Sequence, residues 1–165
     1  MTQEEIEYIK KYLKWPISFK LISSYVISFL PLIFVFFGIK ALIIQKSIFS
    51  NLELFSFIII GLTSFFWILL RIKSERKFRK LKLNKEYDIK QIDQKLSPFL
   101  WITLESGKDK RVYLDKVCLF SSGVYVFVIQ IDENTILINT NPLGRQPFTF
   151  NRDKINFVKI QKALE

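Results

Sequence analysis

The chain has 165 residues, 50% of them hydrophobic, and a formal net charge of +10. It contains no histidine, which removes the commonest general base and metal ligand, and its single cysteine, Cys118, excludes an intrachain disulfide. That size suits one small domain plus a membrane part, and the hydrophobic fraction is high for a purely soluble domain.

At the N-terminus, Thr2-Gln3-Glu4-Glu5 has the spacing of a capping box, and Ile6, Ile9 and Leu13 mark one face of a short helix. Trp15-Pro16 ends it, because the residue before proline avoids the α region. Met1–Lys20 lacks an apolar signal-peptide core, so no cleavable leader is expected. The segment 1–20 is assigned as an interfacial helix leading to the membrane; docking on the later domain is the alternative.

Two long apolar runs follow. Leu21–Ile39 is nineteen residues without a charge, or about 28 Å of helix against a hydrocarbon core of about 30 Å. Lys40 then interrupts and Ala41–Ile44 continue, with Pro31 at mid-span as a kink site. Leu54–Leu70 is a second run of seventeen residues, with Trp67 and Arg71 suited to an interface. Residues 21–72 are therefore expected to form a transmembrane hairpin. Ser24 and Ser28 on the first helix, and Gly61, Thr63 and Ser64 on the second, offer small side chains for packing within the hairpin or for homo-oligomers.

Most of the net charge sits in one place. Arg71, Lys73, Arg76, Lys77, Arg79, Lys80, Lys82 and Lys85 stand against Glu75 alone, while 86–165 carries eleven cations and ten acids. Residues 73–85 read as a basic juxtamembrane stalk on anionic headgroups, with each cation contributing about 1 kcal/mol; Phe78, Leu81 and Leu83 would let it continue as a helix. A domain without its own basic face is not expected to bind double-stranded nucleic acid. The short loop Gln45–Glu53 holds one lysine, so both termini are expected in the cytoplasm.

From Glu86 the pattern turns to short strands: Tyr87–Ile92, Phe99–Glu105, Arg111–Phe120, Val124–Ile131, Thr135–Thr140 and a short Phe148–Phe150. Val124–Ile131 and Thr135–Thr140 read as a hairpin across Asp132-Glu133-Asn134. Tyr125, Phe127, Ile129 and Ile131 share one face, and Val124, Val126 and Val128 the other. A strand apolar on both faces is covered on both or closes a barrel. Asn151 offers an N-cap, and Ile155, Val158 and Leu164 suggest a final amphipathic helix. The expected fold class is a membrane α-helical hairpin with two transmembrane helices plus a small α+β cytoplasmic domain, 86–165. That domain is mostly an antiparallel curved sheet or partial barrel with a C-terminal helix.

Chemistry-bearing signals are few. Cys118 lies in an apolar stretch and reads as core. No Gly-x-x-x-x-Gly-Lys or Gly-x-Gly-x-x-Gly occurs, and the acids fall near turns. Trp101, Tyr113, Tyr125 and Phe127 would stack bases if they shared a surface, but read more simply as core. The candidate ligand loop is Asn139, Asn141, Arg145 and Gln146, an arginine among amides; an ordinary exposed turn is the plainer alternative. No cofactor is expected.

Two N-terminal spans, a basic stalk, a strand-rich module (Arg111–Leu164, with Val124–Ile131, Thr135–Asn139 and Pro147-Phe148) and a final helix resemble the YcxB-like membrane proteins of bacteria. The family's Trp-x-x-Ile step is absent; Lys116-Val117-Cys118-Leu119 stands there instead. The resemblance implies a pleckstrin-homology-like cytoplasmic part, a bacterial inner membrane location and no catalytic motif. The functional expectation is a non-enzymatic module that binds an unknown small molecule or protein. The alternatives are a defence effector that disrupts the membrane on binding a cyclic nucleotide or oligonucleotide, and an immunity protein against a toxin.

Overall fold

The computed structural model describes residues 1–44, 51–116, 123–143, 149 and 151–165. In chain order the helices are α1 (Gln3–Tyr12), α2 (Phe19–Ser28), α3 (Leu32–Ile44) and α4 (Asn51–Glu75). After them come β1 (Arg79–Lys82), α5 (Ile89–Leu96), a 3₁₀ turn at Ser97–Phe99, β2 (Ile102–Ser106), β3 (Lys110–Asp115), β4 (Val124–Asp132), β5 (Thr135–Pro142) and α6 (Arg152–Leu164). Two compact units result: Ile17–Ser74, and a sheet unit of Met1–Pro16 with Glu75–Glu165. The sequence divides the chain near residues 20, 72 and 85; the units divide it at 16 and 75.

The helical unit has two stretches long and apolar enough to cross a membrane, Ile22–Ile44 and Asn51–Glu75, each with 11% of its most apolar window buried. The first is broken at Pro31. Proline has no N–H to give the Ile27 carbonyl, and Leu30 N donates to it instead (3.1 Å) within a run of i→i+3 bonds through Phe34. The helices touch at two glycines. A Cβ on Gly61 would lie 2.8 Å from the Pro31 carbonyl oxygen and 2.7 Å from Val35 Cγ2, and one on Gly38 would lie 2.8 Å from Ile58 Cγ1. Missing side chains thus let the two backbones approach.

In the sheet unit the five strands described form one antiparallel sheet in the order β1-β5-β4-β3-β2. It is open, with β1 and β2 at opposite edges. β4 carries apolar side chains on both faces, and both faces are covered. Val124, Val126 and Val128 pack with Ile136, Ile138 and Tyr113 under α5 and α6, against Ile92, Leu96, Ile160 and Leu164. On the opposite face Phe127, Ile129 and Leu137 pack with Ile6 and Ile9 of α1 and with Trp15 and Phe78.

That second layer decides the place of α1. Its capping box at Thr2 and Glu5 forms as the spacing predicts, but Ile9 is fully buried against the sheet rather than presented to an interface. The interfacial assignment of 1–20 is corrected to the docked alternative, because one apolar stripe cannot face lipid and strand β5 together.

Two other expectations change. Tyr87–Ile92 is not a strand: Asp88 and Gln91 form a capping box, and Ile89, Ile92 and Leu96 make the buried stripe of α5. The basic stretch does not continue as a helical stalk either. α4 ends at Glu75, and 79–82 pairs with β5 as an edge strand, register Arg79↔Ile138. Phe78 and Leu83 are buried in the sheet unit's two cores. Cys118 and Phe148–Phe150, apart from Thr149, lie outside the described residues.

Gly61→Ala is expected to loosen the helical unit by about 1–3 kcal/mol, since the methyl meets a backbone carbonyl that cannot step aside. Thermal unfolding in detergent, with Ser64→Ala as control, checks this; a stabilised Gly61→Ala would mean that the close approach is absent.

Candidate functional site

The chain leaves the sheet unit after Pro16 and returns at Glu75. Inside the unit these two points are stitched together. Lys14 and Lys77 form an antiparallel bridge. Phe78 N donates to Leu13 O (2.8 Å) and Trp15 N to Arg76 O (3.1 Å), while Arg76 Nε donates to Trp15 O (2.8 Å). The Trp15 ring packs 5.1 Å from Phe78 and edge-on to Phe127 at 4.8 Å.

Asn139 of β5 sits at the centre and is buried. Its Oδ1 accepts from Trp15 Nε1 (2.8 Å), and its Nδ2 donates to the Glu75 carbonyl (2.8 Å) and the Lys77 carbonyl (2.9 Å). One side chain thereby holds the outgoing and the incoming chain. The Glu75 carboxylate, also buried, accepts from Thr149 N (2.7 Å) and Thr149 Oγ1 (2.9 Å). Asp153, in the first turn of α6, pairs with Arg79 of β1 at 2.8 Å.

The polar belt continues under α6. Arg152 pairs with Asp115 (3.1 Å), and Asn156 Nδ2 reaches the same carboxylate at 3.4 Å. Asn156 Oδ1 and Thr140 Oγ1 are buried without a hydrogen-bond partner. The buried stripe of α6 is Asp153, Asn156, Ile160 and Leu164, so its first half rests on polar groups. Ile155 and Val158, expected on the inner face, are exposed.

The sequence-predicted residues scatter. Asn139 is structural, and Asn141 stands across from Tyr125 on β4; Arg145 and Gln146 lie outside the described residues. Of the basic series, Arg71 and Lys73 are on α4. Arg76, Lys77 and Arg79 serve the junction, and Lys80, Lys82 and Lys85 are exposed. The four aromatics do not form one platform: Trp101 and Tyr113 pack on the α6 side, and Phe127, with Tyr125 beside it, on the α1 side. Trp15, Glu75, Thr149 and Asp153 are not legible as a group, since Thr149 lies 134 positions beyond Trp15 in the chain.

Elsewhere the polar clusters are structural. Asp93 accepts from Tyr113 Oη and Arg111 Nε, locking α5 to β3. Burial, with the Asp93 carboxylate beside it, pushes the Tyr113 hydroxyl far above its usual range, so it stays protonated. An open groove of about 520 Å³ is lined by Glu86, Asp88, Asp109, Asp132, Glu133 and Lys108 among others. Three of these carboxylates have structural partners: Asp88 caps α5, Asp109 pairs with Lys10, and Asp132 accepts from Asn134 N. Among the described residues no group of three or more acidic, Cys or His side chains is placed to hold a metal. Comparison with protein-family models, curated proteins and solved structures finds no match for this chain.

Asn139→Leu is expected to cost about 2–4 kcal/mol, because it leaves the Trp15 indole N–H and two carbonyls without partners. Trp15 emission should shift as α1 frays; unchanged stability would remove Asn139 from the centre of the junction. A second expectation concerns Glu105, whose pKa is lowered from the usual 4.5, first by its hydrogen bond from Lys110. A lowered folded-state pKa contributes stability above the unfolded value and loses it as pH falls through the folded one. Lys110→Met should bring the Glu105 titration, followed by carbon-detected NMR, back towards 4.5.

Proposed function

We propose that this chain is a two-pass membrane protein whose sheet unit is a non-enzymatic binding module in the cytoplasm, the layout in which it resembles the YcxB-like proteins. The observation that carries it is the surface of the helical unit. Phe34, Phe36, Phe37, Ile43, Leu52 and Leu70, among others, are more than half exposed. Water does not tolerate an apolar surface of that extent, whereas a bilayer needs it. The cations at 71–85 favour the cytoplasmic side for the sheet unit.

A second reading, an effector that perturbs the membrane when a nucleotide binds, draws on the junction. Thr149, just ahead of α6, hydrogen-bonds Glu75 at the end of α4, so displacement of α6 and the segment before it would bear on the chain that leaves the second span. The immunity reading instead has a protein toxin as ligand.

Alkaline carbonate extraction of membranes from cells expressing the full chain tests the first reading: the chain should stay with the bilayer, and release into the supernatant would sink it. Dye uptake in the same cells separates the rest. Permeabilisation on induction favours the effector; intact, growing cells favour the binding or immunity role.

A further inference from the structure

The outer face of α6 departs from the usual arrangement of a surface helix. Its buried stripe is half polar, while Ile155 and Val158 stand 50% and 46% exposed. Exposed Lys154 precedes Ile155, and Lys159 follows Val158. Lys159 Nζ lies over the Phe99 ring (5.9 Å) and the Trp101 ring (6.0 Å). That places the middle of α6 beside the loop between α5 and β2. Leu100, between those two rings in sequence, is 89% exposed and sits at φ 55°, ψ 28°. A left-handed position at the end of a helical turn ordinarily takes glycine or asparagine. Here a leucine occupies it with its side chain in the open.

We propose that Leu100, Ile155 and Val158, framed by Lys154 and Lys159, form a surface that seats on anionic lipid headgroups. Two observations choose lipid over another protein. The first is continuity. Asp153 and Thr149 belong to the cluster that holds Glu75, the residue after Ser74 of the second span. Ile155 is two residues from that cluster, and the first two turns of α6 cover only about 10 Å. The second is charge. Asp153, the acid on this stretch of α6, is buried against Arg79, so the charged groups left beside Ile155 and Val158, Lys154 and Lys159, are cationic. The same chemistry recurs at the other crossing, where Tyr12 and Leu13 are 48% and 37% exposed and Lys11 and Lys14 lie over the Tyr12 ring. Apolar side chains set among lysines are the composition of interfacial membrane contacts. The surface rests on the reading that the spans lie in a bilayer.

The test uses the full chain with Cys118→Ser and one environment-sensitive fluorophore at Ile155→Cys, Val158→Cys or Leu100→Cys. Glu133→Cys in the β4–β5 turn is the control. Each variant is reconstituted into phosphatidylcholine vesicles with or without phosphatidylglycerol, and incorporation is checked first by flotation. Fluorophores at 155, 158 and 100 should shift to the blue and be quenched by nitroxide lipid when phosphatidylglycerol is present, while the control stays open to iodide. Replacing each of Lys154 and Lys159 by Gln should weaken the response to phosphatidylglycerol by about fivefold. Iodide access at all three positions equal to the control, in chain that floats, overturns the surface and leaves the spans in place. Protection that needs no phosphatidylglycerol and rises with protein-to-lipid ratio assigns the patch to a second copy and also overturns it. Chain that does not float overturns the membrane reading and this surface with it.

Discussion

The sheet unit depends on one amide. Asn139 is the residue at which the N-terminal helix, the returning chain and the central hairpin meet, and its three hydrogen bonds satisfy groups that are buried or partly withdrawn from water. A buried polar side chain is tolerated only when satisfied, and when satisfied it permits one arrangement. Without it the Trp15 indole N–H would lose its partner, and the packing of Trp15 on Phe127 that helps cover the apolar face of β5 and β4 would loosen. The rest of the unit follows: α1 on one face, α5 and α6 on the other, and an edge strand cut from the basic segment.

This arrangement closes a long loop in the chain. Residues 17–74 leave and return beside the isolated Lys14–Lys77 bridge, so the unit is built from pieces on both sides of the apolar segment. The entropy of closing a loop grows only slowly with its length, and the Lys14–Lys77 bridge with its flanking bonds offsets it locally. A consequence for mechanism is that the two chain crossings cannot move apart without breaking hydrogen bonds to Asn139 and Trp15. α6 is held differently: its first turns rest on the Asp153–Arg79 and Arg152–Asp115 pairs, while Thr140 Oγ1 and Asn156 Oδ1 are buried there without partners, so polar contacts rather than apolar packing fix its start.

Local signals in this chain are legible to different degrees, for identifiable reasons. Thr2 and Glu5 announce their helix because a capping box needs four consecutive residues and nothing else. The β4–β5 hairpin is equally local. Asp88 and Gln91 carry the same box, but the aromatic and branched residues around them imitate a strand, and the structure chose the helix because Ile89, Ile92 and Leu96 then share one buried stripe. The face of α6 could not be found from hydropathy, since its inner stripe contains Asp153 and Asn156, held by partners far away in sequence.

What the sequence by itself determined is what local chemistry controls: two apolar stretches, a break at Pro31, helix starts, a hairpin, and a strand needing cover on both faces. What only the tertiary structure decided is which segment supplies each cover and which polar side chains are spent inside. Trp15, Glu75, Asn139 and Thr149 acquire their roles by meeting across the fold, and a hydrogen bond between distant residues leaves no periodicity in the chain to read.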